Sequence, residues 1–246
     1  MYKNSILILG VKIFSITFDE GLEEVRKWLL NDRKKHYIVT PNPEFLIRAQ
    51  KDLEFKKILN GADLALPDSA GLIWASKVLK KPIKEKVAGA DFMLGLCKMA
   101  EREGFKIGLI GGGRGVAVKT GECLKKMFPR LKVGLASEEW PFDYVLHQTV
   151  QDFAQGKPID ILFVAFGAPK QEKWIAENLP NIPVRVAMGV GGSFDYIAEV
   201  VLRAPKLLRD LGLEWLFRLI LQPWRFFRQL TLIKFVFLVL REKFFS

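Results

Sequence analysis

A single carboxylate, Asp68, stands where an apolar run gives way to a helical pattern. The run 64–66 stops at Pro67, and apolar residues at helical spacing begin at Ala70. In an open α/β sheet, ligands lie beyond the carboxyl ends of the strands, so an acid at this point faces the expected site. Asp68 is therefore the first candidate for a catalytic group. The alternative is that Asp68 or Ser69 caps the helix, since both residue types accept hydrogen bonds from N-terminal amides.

A second predicted strand, residues 36–40, also ends in polar side chains. Thr40 closes the strand and Asn42 lies between two prolines, with a helix predicted to begin near Pro43. Because parallel strands end at one edge of their sheet, Thr40 and Asn42 are expected to share that edge with Asp68. Either side chain could hydrogen-bond a sugar or a phosphate. The alternative is ordinary turn chemistry, since Asn beside Pro is common in turns.

Glycine-rich loops follow three further predicted strands, at residues 111–115, 167–172 and 189–195. In such a loop, backbone amides can approach a phosphate where a helix begins, which makes Gly111 and Gly112 candidate ligand-binding residues. The patterns Gly-x-Gly-x-x-Gly and Gly-x-x-x-x-Gly-Lys-Ser/Thr do not occur, so no dinucleotide or P-loop site is indicated. Several such loops at one edge favour a nucleotide or diphosphate ligand. Close packing of strand against helix would equally explain the glycines.

The order of the predicted elements indicates an α/β fold of Rossmann type. Apolar runs alternate with helical patterns, which is typical of a mostly parallel sheet with helices on both faces. The continuous apolar run 160–166 fits a strand that is covered on both sides. Residues 1–202 are predicted to form this α/β domain. Residues 203–246 are predicted to form a helical appendage rich in basic and aromatic residues.

The composition excludes several kinds of site. Cys97 and Cys123 lie far apart, and His36 and His147 are the only histidines, so neither a metal site nor a Ser-His-Asp triad is indicated. The chain also lacks Asp-x-Asp, the pair that commonly holds a divalent ion on a sugar nucleotide. We therefore expect chemistry without metal or cofactor, in which loop amides and cations such as Lys86 stabilise a leaving diphosphate.

The net charge of +11 is concentrated near the C-terminus, where residues 203–246 carry nine basic and three acidic side chains. Three of the basic residues, Arg218, Arg225 and Arg228, would lie within about 80° of one face of a continuous helix. Tryptophan and phenylalanine alternate with them. This pattern favours contact with phosphates, and a solvated basic face is the alternative.

The apolar stretch 229–240 is interrupted by one lysine and is shorter than the roughly 20 residues that span a bilayer. We expect it to lie in the interface of an anionic membrane, as a peripheral attachment on the cytoplasmic side. Its apolar residues point in all directions of a helix, so some must be buried against protein. Without a membrane, the same surface could pair two subunits.

Seven segments, taken together, resemble the WecG/TagA/CpsF family of glycosyltransferases. They run in family order: Thr40-Pro-Asn-Pro-Glu44, Leu66-Pro-Asp68, Val87-Ala-Gly-x-Asp91, Gly167-Ala-Pro-Lys-Gln-Glu172, Gly189-Val-Gly-Gly-Ser-Phe-Asp195, Arg203-Ala-Pro205 and Leu213-Glu-Trp-x-x-Arg-Leu219. The resemblance implies inverting, metal-independent transfer from a UDP-sugar to a polyprenyl-diphosphate-linked sugar at the cytoplasmic membrane face. TagA-type members, which this chain resembles most, add N-acetylmannosamine to lipid-linked N-acetylglucosamine for wall teichoic acid.

The resemblance also implies roles for individual residues. Asp68 matches the proposed base, which removes the proton of the acceptor hydroxyl as its oxygen attacks the anomeric carbon. Thr40, Asn42 and Gln171 match residues placed around the donor sugar and diphosphate. Arginines of the C-terminal appendage, here Arg218, Arg225 and Arg228, are thought to complete the active site and contact the substrate's phosphates.

Two positions depart from the family pattern. Ser69 stands where members commonly have glycine after Leu-Pro-Asp, and Lys86 stands where they commonly have arginine. Lysine keeps the charge but cannot grip a phosphate through two parallel hydrogen bonds. The choice of donor is therefore the least defined part of the prediction.

Three other functions are consistent with parts of the sequence. The first is the same chemistry with UDP-glucose or UDP-N-acetylmannosaminuronic acid as donor, for another surface polysaccharide. The second is a nucleotide-dependent oxidoreductase built on the Gly111 loop. The third is a basic nucleic-acid-binding module, although the apolar tail argues against nucleic acid as the partner.

Overall fold

The computed structural model describes residues 5–137, 159–205, 207–208, 214–221 and 226–245. Within these residues, a six-stranded parallel sheet forms the centre, and a two-stranded antiparallel hairpin forms a second sheet that packs into the same core. The strands are β1 (Ser5–Ile8), β2 (Val11–Phe14), β3 (His36–Val39), β4 (Leu64–Ala65), β5 (Lys106–Gly111), β6 (Lys132–Ser137), β7 (Ile159–Ala165) and β8 (Val184–Gly189). The sheet has the order β4-β3-β8-β7-β5-β6, with all neighbours parallel, which confirms the predicted α/β fold.

Helices follow most of the strands directly. They are α1 (Phe18–Asn31), α2 (Pro43–Ala49), α3 (Leu53–Gly61), α4 (Ala70–Val78), α5 (Gly89–Glu103), α6 (Val116–Met127), α7 (Lys170–Asn178), α8 (Ser193–Ile197), α9 (Glu214–Leu221) and α10 (Phe226–Phe245). Ser69 caps α4, because its hydroxyl accepts a hydrogen bond from the Leu72 amide at 3.2 Å. The N-terminal cap of α4 is thus the serine, and the carboxylate of Asp68 has a different partner.

The central strand β7 is covered on both faces. Ile161 and Phe163 point into the larger core, which also contains buried residues of α1, α5 and α6. Leu162 and Val164 point the other way, into a second cluster with Trp174 of α7. All four strand residues are fully buried. The uninterrupted apolar run in the sequence is therefore explained by two layers of helices, as predicted.

The chain reverses its direction across the sheet between β5 and β7. From β5 it passes through α6 to the edge strand β6, whereas from β7 it passes through α7 to β8 on the other side. In doubly wound sheets, ligands bind in the crevice at the carboxyl ends of the strands where such a reversal occurs. Here the crevice is bordered by residues 111–115 and 166–169.

The helix α10 returns to the body of the protein and packs against α2 and α4. Phe235 and Val239 are buried in the larger core, while Ile233 and Phe237 on the other side are 69% and 64% exposed. Apolar residues thus face both protein and solvent, as the all-round apolar pattern predicts. In the described part of the chain, no helix is both long and apolar enough to cross a bilayer. The division at residue 202 stays a prediction.

Candidate active site

The turn that carries Asp68 is fixed by backbone hydrogen bonds to two neighbouring segments. The Asp68 amide donates to the carbonyl of Pro41 (3.1 Å), and the Val87 amide donates to the carbonyl of Pro67 (3.0 Å). The first bond continues the pairing of β3 with β4 beyond the ends of both strands. Asp68 therefore lies at the carboxyl edge of the sheet, where the sequence places it.

Gly89 lies close to both predicted site residues of this edge, Asp68 and Thr40. Its amide donates to Oδ1 of Asp68 at 3.0 Å, and it is the first residue of α5, so the positive end of that helix faces the carboxylate. A Cβ atom added to Gly89 would lie 3.1 Å from Cγ2 and 3.3 Å from Oγ1 of Thr40, whose side chain is buried. The structure thus brings Thr40, Asp68 and Gly89 together. Sequence reasoning assigns no role to Gly89, although it lies in Val87-Ala-Gly-x-Asp91, one of the seven segments that resemble the family.

Replacing Gly89 by alanine is expected to lower turnover by about tenfold, since small displacements of a reacting group are costly. The new methyl group would push Thr40 away by a few tenths of an ångström and disturb the bond to Asp68. Initial rates and UDP affinity measured on the purified variant would separate an effect on turnover from one on binding. Gly121→Ala is the matched control, because a Cβ there meets Leu109 at an ordinary 3.4 Å. Equal rates for the two variants would remove Gly89 from the site.

Asn42 caps α2. Its side-chain oxygen accepts a hydrogen bond from the Phe45 amide at 3.1 Å, and the residue is half-buried. The structure therefore shows turn and cap chemistry for the oxygen atom of this side chain. A contact of the amide nitrogen with substrate stays a prediction.

The glycine loop after β5 has a left-handed backbone throughout, with positive φ at every residue from 111 to 115. A Cβ on Gly111 would lie 2.8 Å from the carbonyl carbon of Ala165, and one on Gly112 would lie 3.1 Å from Val116. Close packing thus requires the first two glycines. Gly113 differs, because nothing lies within 4 Å of its Cβ position.

The loop after β7 offers a second open glycine across the same crevice. Gly167 has φ +75°, and no atom lies within 4 Å of its Cβ position. A ligand could therefore approach the backbone at Gly113 on one side and at Gly167 on the other, where the chain reverses direction. That either loop binds a ligand stays a prediction, although the sequence points to both of them. The sequence could not select Gly113 over Gly111 and Gly112, since that depends on which glycine packs against the neighbouring strand.

Gln171 ties the β7 loop to the β8 loop. Its side chain is 2% exposed, and its Oε1 accepts from the amides of Gly167 (3.1 Å) and Gly191 (3.0 Å). Its Nε2 donates to Oε1 of Glu172 at 2.6 Å. The structure thus places this predicted donor-binding residue behind the loops, where it sets their separation. A direct contact with the donor stays a prediction.

Glu172 is a buried carboxylate that the sequence did not single out as functional. Its side chain is fully buried, and its Oε2 has no hydrogen-bond partner among the described residues. Burial raises the pKa of Glu172 to about 7, and the hydrogen bond from Gln171 opposes this rise. The side chains of Gln171 and Glu172 fit here only because residue 189 is a glycine, since a Cβ there would lie 2.9 Å from Oε1 of Glu172.

The raised pKa of Glu172 predicts a pH-dependent stability. The folded protein binds this proton more tightly than the unfolded chain. The stabilisation is therefore complete below pH 4.5, the ordinary pKa of a glutamate, and is lost as the pH rises through 7. As the pH rises through this range, the free energy of unfolding should fall by up to ~3 kcal/mol less in Glu172→Gln than in the parent protein. Urea unfolding of both proteins between pH 5 and 8 measures the difference in slope. Parallel curves would show that the group does not titrate in this range.

An ion pair joins two segments that are far apart in the chain. Arg203 donates to Asp91 in a bidentate arrangement, Nη1 to Oδ1 at 2.7 Å and Nη2 to Oδ2 at 2.9 Å. The guanidinium also lies 5.9 Å from the ring centre of Tyr196. Bidentate pairs of this kind fix geometry as well as adding stability. The start of the predicted appendage is therefore attached to α5, the helix whose first amide binds Asp68.

The structure describes only some of the basic side chains that are predicted to contact phosphate. Lys86 is half-buried and immediately precedes Val87, whose amide binds the carbonyl of Pro67. Arg218 lies in α9 and Arg228 in α10, with side chains outside the described part, and Arg225 lies wholly outside the described residues. Their contacts with phosphate stay predictions. Among the described residues, no three His, Cys, Asp or Glu side chains are grouped to hold a metal ion.

These features define the class of protein. A doubly wound parallel sheet presents one anchored carboxylate beside a threonine, together with two open glycine loops at a reversal of the chain. A carboxylate can accept a proton from an alcohol, and backbone amides can hold a diphosphate. The arrangement is suited to an enzymatic reaction at the carboxyl edge of the sheet, in which an alcohol gives up its proton and a diphosphate is bound.

The comparison with known proteins identifies the family. The chain matches the model of the glycosyl transferase WecG/TagA/CpsF family over residues 6–246, and it belongs to that family. It is therefore a glycosyltransferase, as the seven sequence segments predict.

Relatives in two bacterial genera carry one name, N-acetylglucosaminyldiphosphoundecaprenol N-acetyl-beta-D-mannosaminyltransferase. The protein of Bacillus spizizenii is 33% identical over 214 residues, 87% of this chain and 82% of the relative. That of Bacillus subtilis is 33% identical over 218 residues, covering 85% and 84%. That of Staphylococcus aureus (strain MRSA252) is 29% identical over 237 residues, covering 96% and 92%.

Proposed function

We propose that this protein transfers N-acetylmannosamine from a UDP-sugar to N-acetylglucosamine linked through diphosphate to undecaprenol. The acceptor and the transferred sugar are those in the names of the three relatives. UDP as the carrier follows from the family resemblance. The observation that carries the proposal is the position of Asp68, which is held at the carboxyl edge of the sheet by the Gly89 amide. The product would enter the synthesis of a cell-wall polymer such as wall teichoic acid.

The reaction is a single displacement. The acceptor hydroxyl oxygen attacks the anomeric carbon while its proton passes to the Asp68 carboxylate. The bond from the anomeric carbon to the diphosphate oxygen breaks, and UDP leaves with that electron pair, so the configuration inverts. Loop amides at Gly113 and Gly167 and cations such as Lys86 would stabilise the departing charge, without a requirement for metal.

The protein would work at the cytoplasmic face of the membrane, where its lipid-linked acceptor lies. Support comes from the basic residues of the segment 203–246 and from exposed apolar side chains on α9 and α10, among them Leu216, Ile220, Leu230 and Ile233. Attraction of a basic surface to anionic lipid is screened by salt. Binding to vesicles with and without phosphatidylglycerol, at low and high salt, tests this part. Equal binding to neutral and anionic vesicles would contradict it.

A donor screen tests the proposed function. UDP-N-acetylmannosamine, UDP-glucose and UDP-N-acetylmannosaminuronic acid are each offered with a soluble lipid-diphosphate-N-acetylglucosamine analogue, with and without EDTA. We expect transfer from UDP-N-acetylmannosamine at a rate that EDTA leaves unchanged. Preference for another donor would redirect the proposal to another surface polysaccharide. Family membership does not favour an oxidoreductase or a nucleic-acid-binding module.

A further inference from the structure

The helix α10 has two different apolar faces. On one face, Phe235 and Val239 are 1% and 0% exposed and belong to the main core. On the other face, Phe237 is 64% exposed. Membrane contact through the exposed face would account for Phe237, but it does not account for the burial of Phe235 on the opposite side. The contacts of Phe235 supply an explanation.

Phe235 packs against α4, which begins directly after the predicted site residue Asp68, and α10 as a whole also packs against α2. A Cβ on Gly71 would lie 3.8 Å from Cε1 of Phe235 and 2.9 Å from Cγ of Pro43. Gly71 is in the first turn of α4, three residues after Asp68, and Pro43 is the first residue of α2, directly after Asn42. The ring of Phe235 also contacts that of Trp74 on α4, with centroids 6.4 Å apart and planes inclined by 58°.

A second contact fixes the far end of α10. The backbone amide of Leu9 donates to Oε2 of Glu242 at 2.8 Å, so the last turns of the helix are tied to the β1–β2 hairpin. The Gln50 side chain, directly after α2, donates to the carbonyl of Leu9 at 2.9 Å. α10 is therefore attached at two points, by Glu242 at its far end and by Phe235 beside the first turns of α4.

We propose that Phe235 is a positioning residue for Asp68, which deepens the proposed function and depends on it. The Phe235 ring fills the space beside the first turn of α4. It thereby holds the turn that presents the Asp68 carboxylate to the Gly89 amide. Removal of the ring leaves a cavity into which that turn can relax only in part. A shift of about 1 Å in a reacting group can lower a rate by up to ~100-fold, so packing remote from the substrate can control turnover.

Loss of the Phe235 ring should lower turnover much more than it weakens the binding of UDP. Phe235→Ala should lower kcat by about 10- to 100-fold, while the dissociation constant for UDP changes less than about threefold. Phe235→Leu, which keeps part of the volume of the ring, should lower kcat by about three- to fivefold, a smaller but measurable loss. Leu30→Ala on the exposed side of α1 is the control for loss of an apolar side chain, and it should retain the parent kcat with a soluble acceptor analogue. Circular dichroism and thermal unfolding establish that each variant is folded.

A double-mutant cycle tests whether Phe235 acts through Asp68. In an Asp68→Asn background, Phe235→Leu should cause no further loss of turnover, because the group it positions is already gone. Independent, multiplicative losses would overturn the proposal, as would a folded Phe235→Ala protein with kcat within twofold of the parent. This cycle uses the leucine variant, so it remains decisive if the alanine variant does not fold. Absence of transfer by the parent protein with every donor would instead contradict the proposed function.

Discussion

Asp68→Asn is expected to lower turnover by about 100-fold or more, the usual scale for loss of a general base. Asparagine keeps the shape of the side chain, and its oxygen can still accept the hydrogen bond that the Gly89 amide makes at 3.0 Å. Only the ability to take a proton is removed. Steady-state rates with UDP-N-acetylmannosamine and the acceptor analogue measure the effect, and calorimetry with UDP should show nearly unchanged binding.

Asp63→Asn is the control for loss of a carboxylate. Asp63 directly precedes β4 at the opposite edge of the sheet, where it accepts a hydrogen bond from the Tyr37 amide. Its replacement should leave turnover within about twofold, the range of surface changes remote from a site. Near-normal turnover of Asp68→Asn, or an equal loss in both variants, would reject Asp68 as the base.

Gln171→Ala is expected to weaken both the fold and the donor site. It removes the acceptor of two loop amides, Gly167 and Gly191, and the donor to the buried carboxylate of Glu172. At ~1–2 kcal/mol for each buried group left unsatisfied, the free energy of unfolding should fall by roughly 4 kcal/mol. The two loops would also lose their fixed separation, so the KM for the donor should rise by at least about tenfold.

Glu177→Gln on the exposed side of α7 is the matched control for this variant. It changes a neighbouring polar residue of the same helix without touching either loop, and we expect both stability and KM to be retained. Urea unfolding and donor saturation curves provide the two measurements. A Gln171→Ala protein that unfolds at lower urea but binds donor normally would limit Gln171 to a structural role.

The sequence predicts the fold, and it places the candidate site residues at one edge of the sheet, because both depend on local patterns. Strand ends can be recognised from apolar runs that stop at polar residues, and this places Thr40 and Asp68 at one edge. The parallel sheet follows from alternation of strands and helices, and the covered strand β7 from its uninterrupted apolar run.

The partners of these residues could not be predicted in the same way. The bond from Gly89 to Asp68 joins residues 21 positions apart, and its existence depends on how α5 docks against the sheet. The family resemblance assigns Gln171 to the donor, while the structure gives its side-chain amide three partners within the protein. Likewise, the apolar residues on all sides of α10 indicate that some of them are buried, but they do not indicate which residue contacts α4. These contacts arise from tertiary packing, which no local pattern encodes.

In the proposed mechanism, the donor diphosphate lies between the loops of Gly113 and Gly167 while Asp68 faces the anomeric carbon. A crystal structure of the protein with a UDP-sugar bound tests it directly. We expect diphosphate oxygens within hydrogen-bond distance of loop amides in residues 111–115 or 167–169, and a carboxylate oxygen of Asp68 on the side of the anomeric carbon opposite the diphosphate. A donor bound at another edge of the sheet, or an Asp68 side chain turned away from the sugar, would contradict the mechanism.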